Sequence, residues 1–266
     1  MFEAKNIKSF WGNNKILDGV NIYVEKKKLL CLCGPNGSGK STLISIMAGL
    51  AGFDKLNFKG SVNLDGKNIY SFKPEELAKK VATLLQSENQ TWNYKVKDLV
   101  MQGRFCHFKN SFSIPSAQDK KIVDQIICEL HIENLAQKNI FEISGGEYQK
   151  VRIARCLAQE PEYLLLDEVA ANLDFAFQDE LFLLLKKIAL EKDIGILASV
   201  HDLNTASRFC DKLALLKKNG PCYTGATEDL LKPELLKEIY SSNFAVFTHP
   251  FYKCLQVYTL DGAGLR

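Results

Sequence analysis

The stretch Gly34-Pro35-Asn36-Gly37-Ser38-Gly39-Lys40-Ser41-Thr42 has the residue types and spacing needed to hold a polyphosphate. It matches the pattern GxxxxGK[ST]. Glycines let the backbone wrap a phosphate so that successive N–H groups point inward, Lys40 reaches the β- and γ-phosphates, and the Ser41 hydroxyl ligates Mg²⁺. Such a loop needs an acidic partner to hold the metal and position water. Tyr163-Leu164-Leu165-Leu166-Asp167-Glu168 supplies one, an apolar run ending in two carboxylates. Asp167 would hold Mg²⁺ and Glu168 would polarise the attacking water. Taken alone, an Asp-Glu pair is also what a surface loop carries, and its weight comes from the phosphate loop. A third candidate, Ser144-Gly145-Gly146-Glu147, precedes a helix patterned by Val151, Ile153, Ala154 and Leu157. It reads as a capping box, Ser144 paired with Glu147 three residues on, and also as a second anion-binding helix start directed at a γ-phosphate. The two readings can both hold.

These groups need rigid elements to position them. The apolar run Leu29–Cys33 reads as a strand directly before the phosphate loop, and Leu43, Ile46, Met47 and Leu50 read as a helix directly after it. That context separates the loop from a glycine-rich turn that only caps a helix. Residues 81–85, 163–166 and 194–200 are further apolar runs separated by long helical stretches, as in a parallel sheet covered on both faces. Ahead of them, Val20, Ile22 and Val24 alternate with polar residues, and residues 61–64 and 68–72 flank Asp65-Gly66 as a hairpin. An N-terminal antiparallel β layer follows. Ile122, Val123, Ile126, Ile127 and Leu130 recur at helical spacing, with a loop at residues 110–116, so the chain between residues 85 and 162 reads as a helical insertion. Residues 233–240 form a short helix opened by Pro233, and residues 244–260 are β-rich.

Composition narrows the classes. With 266 residues, 46% hydrophobic and 24% charged, the chain is an ordinary globular one, which excludes disordered and fibrous classes. Thirty-four basic against 31 acidic residues give a charge of +3, too balanced to imply a nucleic-acid footprint. The lysine runs at 26–28, 120–121 and 217–218 read as solvated surface. No apolar run approaches the roughly 20 residues of a membrane span, and the N-terminal residues lack the apolar core of an export signal. Eight scattered cysteines without a CxxC pair read as reduced thiols, with Cys31 and Cys33 in the core.

From Phe2 to about Tyr240 these motifs, in this order and spacing, resemble the ATPase subunit of an ATP-binding cassette (ABC) transporter. The resemblance implies an α/β fold: a P-loop NTPase, RecA-like core with an antiparallel β layer and an inserted helical subdomain. It implies residues 1–86 and 162–240 as the ATP-binding core, 87–161 as the helical signature subdomain and 241–266 as a β-rich extension. It also implies further roles. Trp11 before Gly12 would stack on adenine, Gln86 would touch Mg²⁺ and report nucleotide state, and His201 would contact the γ-phosphate. Asp174, in Ala171-Asn172-Leu173-Asp174, would lie in the loop that crosses a dimer interface. Ile143-Ser144-Gly145-Gly146-Glu147-Tyr148-Gln149 resembles the family signature, with Ile143 and Glu147 replacing the commoner Leu and Gln. Two departures stand out. Val169-Ala170 follows Glu168 where the family usually has Pro-Thr, and Lys27-Lys28 stands where a glycine often precedes the phosphate-loop strand.

The resemblance further implies ATP and Mg²⁺, and a two-fold dimer of ATPase subunits sandwiching two nucleotides. An integral membrane permease would dock between Gln86 and the helical insertion. A periplasmic or surface substrate-binding protein would act indirectly, and no nucleic acid is involved. Residues 101–104, 143–161 and 201–216 are most similar to importers of iron chelates, haem and cobalamin, which implies a peripheral protein at the cytoplasmic face of the cell membrane. Two alternatives are a non-transport cassette acting on ribosomes or DNA and a regulatory nucleotide-binding module.

Overall fold

The computed structural model describes residues 1–12, 14–51, 56–86, 92–108, 113–171 and 173–260. Five of its apolar runs pair in parallel: β3 (Leu29–Cys33), β6 (Val81–Leu84), β7 (Tyr163–Leu166), β8 (Gly195–Ser199) and β9 (Lys212–Leu216). With β10 (Cys222–Gly225) antiparallel at the edge they make a six-stranded sheet in the order β10-β9-β3-β8-β7-β6. Every residue of β3, β7 and β8 is buried. Alternate side chains enter different cores, as the two-residue period of a strand requires. Leu29, Cys31 and Cys33 join the helical side, and Leu30 and Leu32 join the β-layer side.

The β layer is a four-stranded antiparallel sheet of β1 (Phe2–Trp11), β2 (Asn14–Val24), β4 (Asn57–Leu64) and β5 (Lys67–Asn68). Val20, Ile22 and Val24 are buried between exposed neighbours, as their alternation predicts. Asp65 (φ 49°) and Gly66 (φ 81°) make the tight turn, both residues left-handed as in the turns that match strand twist. The second arm of that hairpin is shorter than expected. The strand stops at Asn68, and residues 69–71 turn into a 3₁₀ helix, because the Asn68 side chain accepts the Tyr70 N–H (2.9 Å) and the Tyr70 hydroxyl donates to the Ile46 carbonyl (2.8 Å).

Among the described residues from 92 to 161 there is no strand. The segment contains α3 (Val96–Met101), α4 (Ala117–Glu129) and α5 (Gly145–Leu157) joined by 3₁₀ turns. Val123, Ile126, Ile127 and Leu130 are buried. The start of α4 is a capping box of Ser116 and Asp119. Asp119 also accepts from the buried Arg104 guanidinium at 2.9 Å, and Glu160 accepts from it at 2.7 Å. The remaining helices are α1 (Lys40–Met47), α2 (Pro74–Ala78), α6 (Phe175–Glu191), α7 (Leu203–Phe209), α8 (Thr227–Leu230) and α9 (Pro233–Tyr240). A hairpin of β11 (Asn243–Thr248) and β12 (Leu255–Leu260) follows. It is clamped to α7 by Asn204, whose amide donates to the Val257 carbonyl (3.2 Å) while its oxygen accepts the Val257 N–H (2.7 Å).

Lys27, in the place of the family glycine, sits at φ 59°. The backbone there is left-handed, and lysine adopts it at a cost of about 1 kcal/mol. Its N–H donates to the Ile194 carbonyl at 3.1 Å, which fixes the turn that starts β3. No helix among the described residues is long and apolar enough to cross a membrane. None of the eight cysteines is in a disulfide, and Cys31 and Cys33 are fully buried.

Candidate active site

The sheet order brings the chemistry together. Adjacent parallel strands β3, β8, β7 and β6 all end at one edge, and the segments leaving them carry the phosphate loop, His201, Asp167-Glu168 and Gln86 respectively. Carboxyl ends of parallel strands are where open α/β sheets bind ligands.

Directly after β3, the loop closes so tightly that two glycines have no substitute. A Cβ on Gly34 would lie 2.5 Å from the Leu216 carbonyl oxygen, and one on Gly39 (φ 97°) would lie 2.7 Å from Leu17. The remaining loop residues Pro35, Asn36, Gly37 and Ser38 curve over the start of α1, whose first residues are Lys40, Ser41 and Thr42. Lys40 is only 6% exposed, a rare place for an ammonium. Its Nζ donates to the Gly34 carbonyl at 2.9 Å and the Pro35 carbonyl at 3.4 Å, and burial lowers its pKa. Ser38 is likewise buried, and its hydroxyl has no hydrogen-bond partner among the described residues. A buried cation resting on backbone carbonyls beside an unsatisfied hydroxyl is a surround that suits phosphate oxygens.

Asp167 is buried, and its Oδ1 accepts from the Ser199 hydroxyl at 2.7 Å. The same hydroxyl oxygen accepts the Glu168 N–H at 2.7 Å, so Ser199, the last residue of β8, holds the Asp167 carboxylate and the Glu168 backbone. The sequence reading missed it, although a polar residue ending a wholly buried strand has to find a partner. The oxygens of Asp167, Ser41 and Gln86 are the hard donors that Mg²⁺ takes.

Glu168 is left-handed at φ 50°, a strained backbone of the kind that concentrates at functional sites. One of its carboxylate oxygens is 2.8 Å from Nε2 of His201, and the other accepts from Nε2 of Gln86. Residues from three strand ends therefore meet on one carboxylate. In place of the usual proline, Val169 packs into the core, and its carbonyl accepts from Gln149 Nε2 at 2.7 Å. The segment after Glu168 is thus held by a side chain of α5 and by packing.

The other expected residues are not joined to this cluster by any hydrogen bond or ion pair among the described residues. Ser144 caps α5: its hydroxyl donates to Glu147 Oε2 (2.9 Å) and accepts the Glu147 N–H (3.3 Å), while that carboxylate accepts the Ser144 N–H (2.8 Å). The Ser144 N–H, then its hydroxyl, hold the Glu147 carboxyl below the usual range. Gly145 has open space around it, whereas a Cβ on Gly146 would meet the Phe177 ring at 2.9 Å, so the second glycine serves the packing of α5 on α6. Asp174 caps α6 by accepting the Phe177 N–H (2.9 Å). Trp11 ends β1 and is 62% exposed. Asn172 lies outside the described residues.

Residues 17–171 match the family model described as "ABC transporter". The hemin import ATP-binding protein HmuV of Hydrogenovibrio crunogenus is 35% identical over 247 residues, covering 89% of this chain and 92% of that protein. The iron(3+)-hydroxamate import ATP-binding protein FhuC of Bacillus subtilis is 34% identical over 240 residues, covering 90% and 87%. Among solved structures, a protein assigned as a metal-chelate type ABC transporter in an inward-facing conformation superposes with a TM-score of 0.82. The superposition covers 97% of this chain and 96% of that one at 24% identity, a likeness of fold. The family model spans the phosphate loop, the signature and both strand-end carboxylates, and the curated relatives align over most of their length: the chain belongs to the ABC transporter family, as one of its ATPases.

Proposed function

We propose that this ATPase powers uptake of a metal chelate, of the iron-siderophore, haem or cobalamin kind, through a separate integral membrane permease. The observation that carries the reading is the similarity, over about nine-tenths of the chain, to proteins named for hemin and hydroxamate import. In this reading residues 1–86 and 162–240 are the ATP-binding core, residues 87–161 the helical subdomain and residues 241–266 a β-rich extension. The subunit works as a two-fold dimer at the cytoplasmic face of the cell membrane. An exposed aromatic patch supports a membrane partner: Trp92, Tyr94 and Phe141 lie on adjoining segments, tied by the Ile140 N–H to the Tyr94 carbonyl (2.9 Å). Unpaired aromatic surface of this kind is typical of interfaces.

Hydrolysis would run on the residues described above. Lys40 exchanges its two carbonyl partners for β- and γ-phosphate oxygens. Held by Ser41, Asp167 and Gln86, Mg²⁺ would supply charge neutralisation on those oxygens. Glu168, whose backbone N–H is held by Ser199, takes the proton of the attacking water, with His201 on one of its oxygens and Gln86 on the other. Trp11 stacks on adenine. Ser144, Gly145, Gly146, Glu147 and Asp174 face the nucleotide of a second copy, where Ser144 turns its hydroxyl proton from Glu147 to the γ-phosphate. The test is reconstitution with the membrane protein encoded beside it and a candidate binding protein. ATPase activity stimulated by one of hemin, a ferric hydroxamate or cobalamin supports import. Turnover indifferent to all such chelates, in a complex that hydrolyses ATP, refutes it.

A further inference from the structure

Two buried side chains of α5 have no part in the chemistry described so far, yet both reach into the site. Gln149 and Arg152 are each 7% exposed and lie one turn apart. Gln149 Nε2 donates to the Val169 carbonyl at 2.7 Å, and its Oε1 accepts from Arg152 Nη1 at 3.0 Å. Arg152 Nη2 in turn donates to the Leu85 carbonyl. The amide can face only one way, because Arg152 offers no acceptor and a carbonyl offers no donor.

Leu85 directly precedes Gln86, and Val169 directly follows Glu168. Because Gln86 and Glu168 touch, the contacts close a ring: α5, the Leu85 carbonyl, Gln86, Glu168, the Val169 carbonyl, and α5 again. We propose that Gln149 and Arg152 are positioning residues for hydrolysis, gripping the backbone on either side of the Gln86–Glu168 contact and tying it to the helix whose first turn carries Ser144. This rests on Glu168 and Gln86 acting as assigned above. Neither residue touches the reacting atoms. They act by keeping a left-handed, strained segment in register with the end of β6, and misplacement on the scale of an ångström costs about a hundredfold in rate.

The test compares Gln149→Glu, Gln149→Leu and Arg152→Met with the wild-type chain in steady-state hydrolysis, ATP titration and thermal unfolding. Gln149→Glu is the decisive variant. It keeps the volume and the bond to Arg152, but an ionised carboxylate has no proton for the Val169 carbonyl. The expected result is a turnover number about ten- to a hundredfold lower in all three variants, with ATP affinity within about twofold of wild type. Combining Gln149→Leu with Arg152→Met should add little to either, because they belong to one chain of contacts. Wild-type turnover in Gln149→Glu would overturn the proposal. So would turnover and ATP affinity falling together, which a loss of fold would produce. Chelate stimulation does not enter this readout, so failure of the import reading leaves the result intact, whereas wild-type turnover in Glu168→Gln would remove its premise.

Discussion

Replacing Ser199 by alanine isolates one hydroxyl on which both strand-end acidic residues depend. That oxygen donates to Asp167 and accepts from the Glu168 backbone at 2.7 Å each, and Ser199 itself is 1% exposed. Its loss strips a donor from a buried carboxylate, worth about 1.5–3 kcal/mol, and leaves a part-buried N–H without its partner, worth about 1 kcal/mol. The two losses share one group and overlap, so a net destabilisation of roughly 2–4 kcal/mol is expected. For a chain of this size each kcal/mol lowers Tm by roughly 2–4 °C, which predicts a drop of roughly 4–16 °C. The functional loss should be in the metal: an aimed carboxylate that loses its outer partner costs roughly 10–100-fold in metal affinity or activity. The assays are thermal unfolding without nucleotide and ATPase activity titrated with Mg²⁺ at fixed ATP. Unchanged Tm and unchanged half-saturating Mg²⁺ would refute the reasoning, because the hydroxyl would then neither stabilise the fold nor orient Asp167.

Lys40→Ala should sharply weaken ATP binding, since the phosphates lose a charged partner in the loop; an unchanged dissociation constant in a nucleotide titration counts against the phosphate assignment. Glu168→Gln should keep ATP binding, lose most turnover and accumulate a closed dimer with ATP in size-exclusion chromatography with light scattering. Wild-type hydrolysis in that variant would exclude Glu168 as the group that polarises water. Asp119→Asn should destabilise the chain by about 1–2 kcal/mol at pH 7, because Arg104 and Ser116 lose an ionised acceptor while Arg104 keeps Glu160. Burial pushes the Asp119 carboxyl up, but the Ser116 hydroxyl and Arg104 outweigh it and leave its folded pKa below 3.8. A lowered folded pKa means the contribution is complete above the unfolded value and fades as pH falls through the folded one. Urea unfolding should therefore show the gap between wild type and variant narrowing below about pH 4, and a gap that widened there would refute the sign.

How far the sequence could be read follows from which interactions are local. The phosphate loop was legible because nine contiguous residues and their flanking periodicities determine it, and β7 because its apolar run ends on two carboxylates. The β-rich character of residues 244–260 was likewise expected from composition, whereas their pairing as the hairpin β11–β12 was not. By contrast β9, in Lys212–Leu216, is not legible as a strand: only two residues separate it from α7, and pairing with β3 and β10 makes it extended. The second arm of the Asp65-Gly66 turn was lost to an Asn68 side chain that competes with the ladder. Ser199, Gln149 and Arg152 could not be assigned from spacing, because the backbone groups they hold are 20 to 67 positions away. Gly146 looked like an anion-binding glycine, and its packing reason, Phe177, is visible only once α5 meets α6.

The order of the central sheet also governs how the molecule is made. β8 lies between β3 and β7 but leaves the ribosome after both, its last residue 33 positions behind the last of β7. At about 5–20 residues per second that is a delay of roughly 2–7 s, during which the phosphate-loop strand and the metal-side strand cannot be joined. Both would show open edges, the unpaired rows that invite other chains. Insertion of β8 closes those edges, brings in Ser199 and His201, and makes the Val200 N–H to Leu32 carbonyl bond of 3.0 Å. The nascent chain thus brings Asp167, Glu168 and His201 into register with the phosphate loop in one event, while the other edge of β3 waits for β9, and nucleotide should protect the chain from co-translational aggregation only after β8 has emerged.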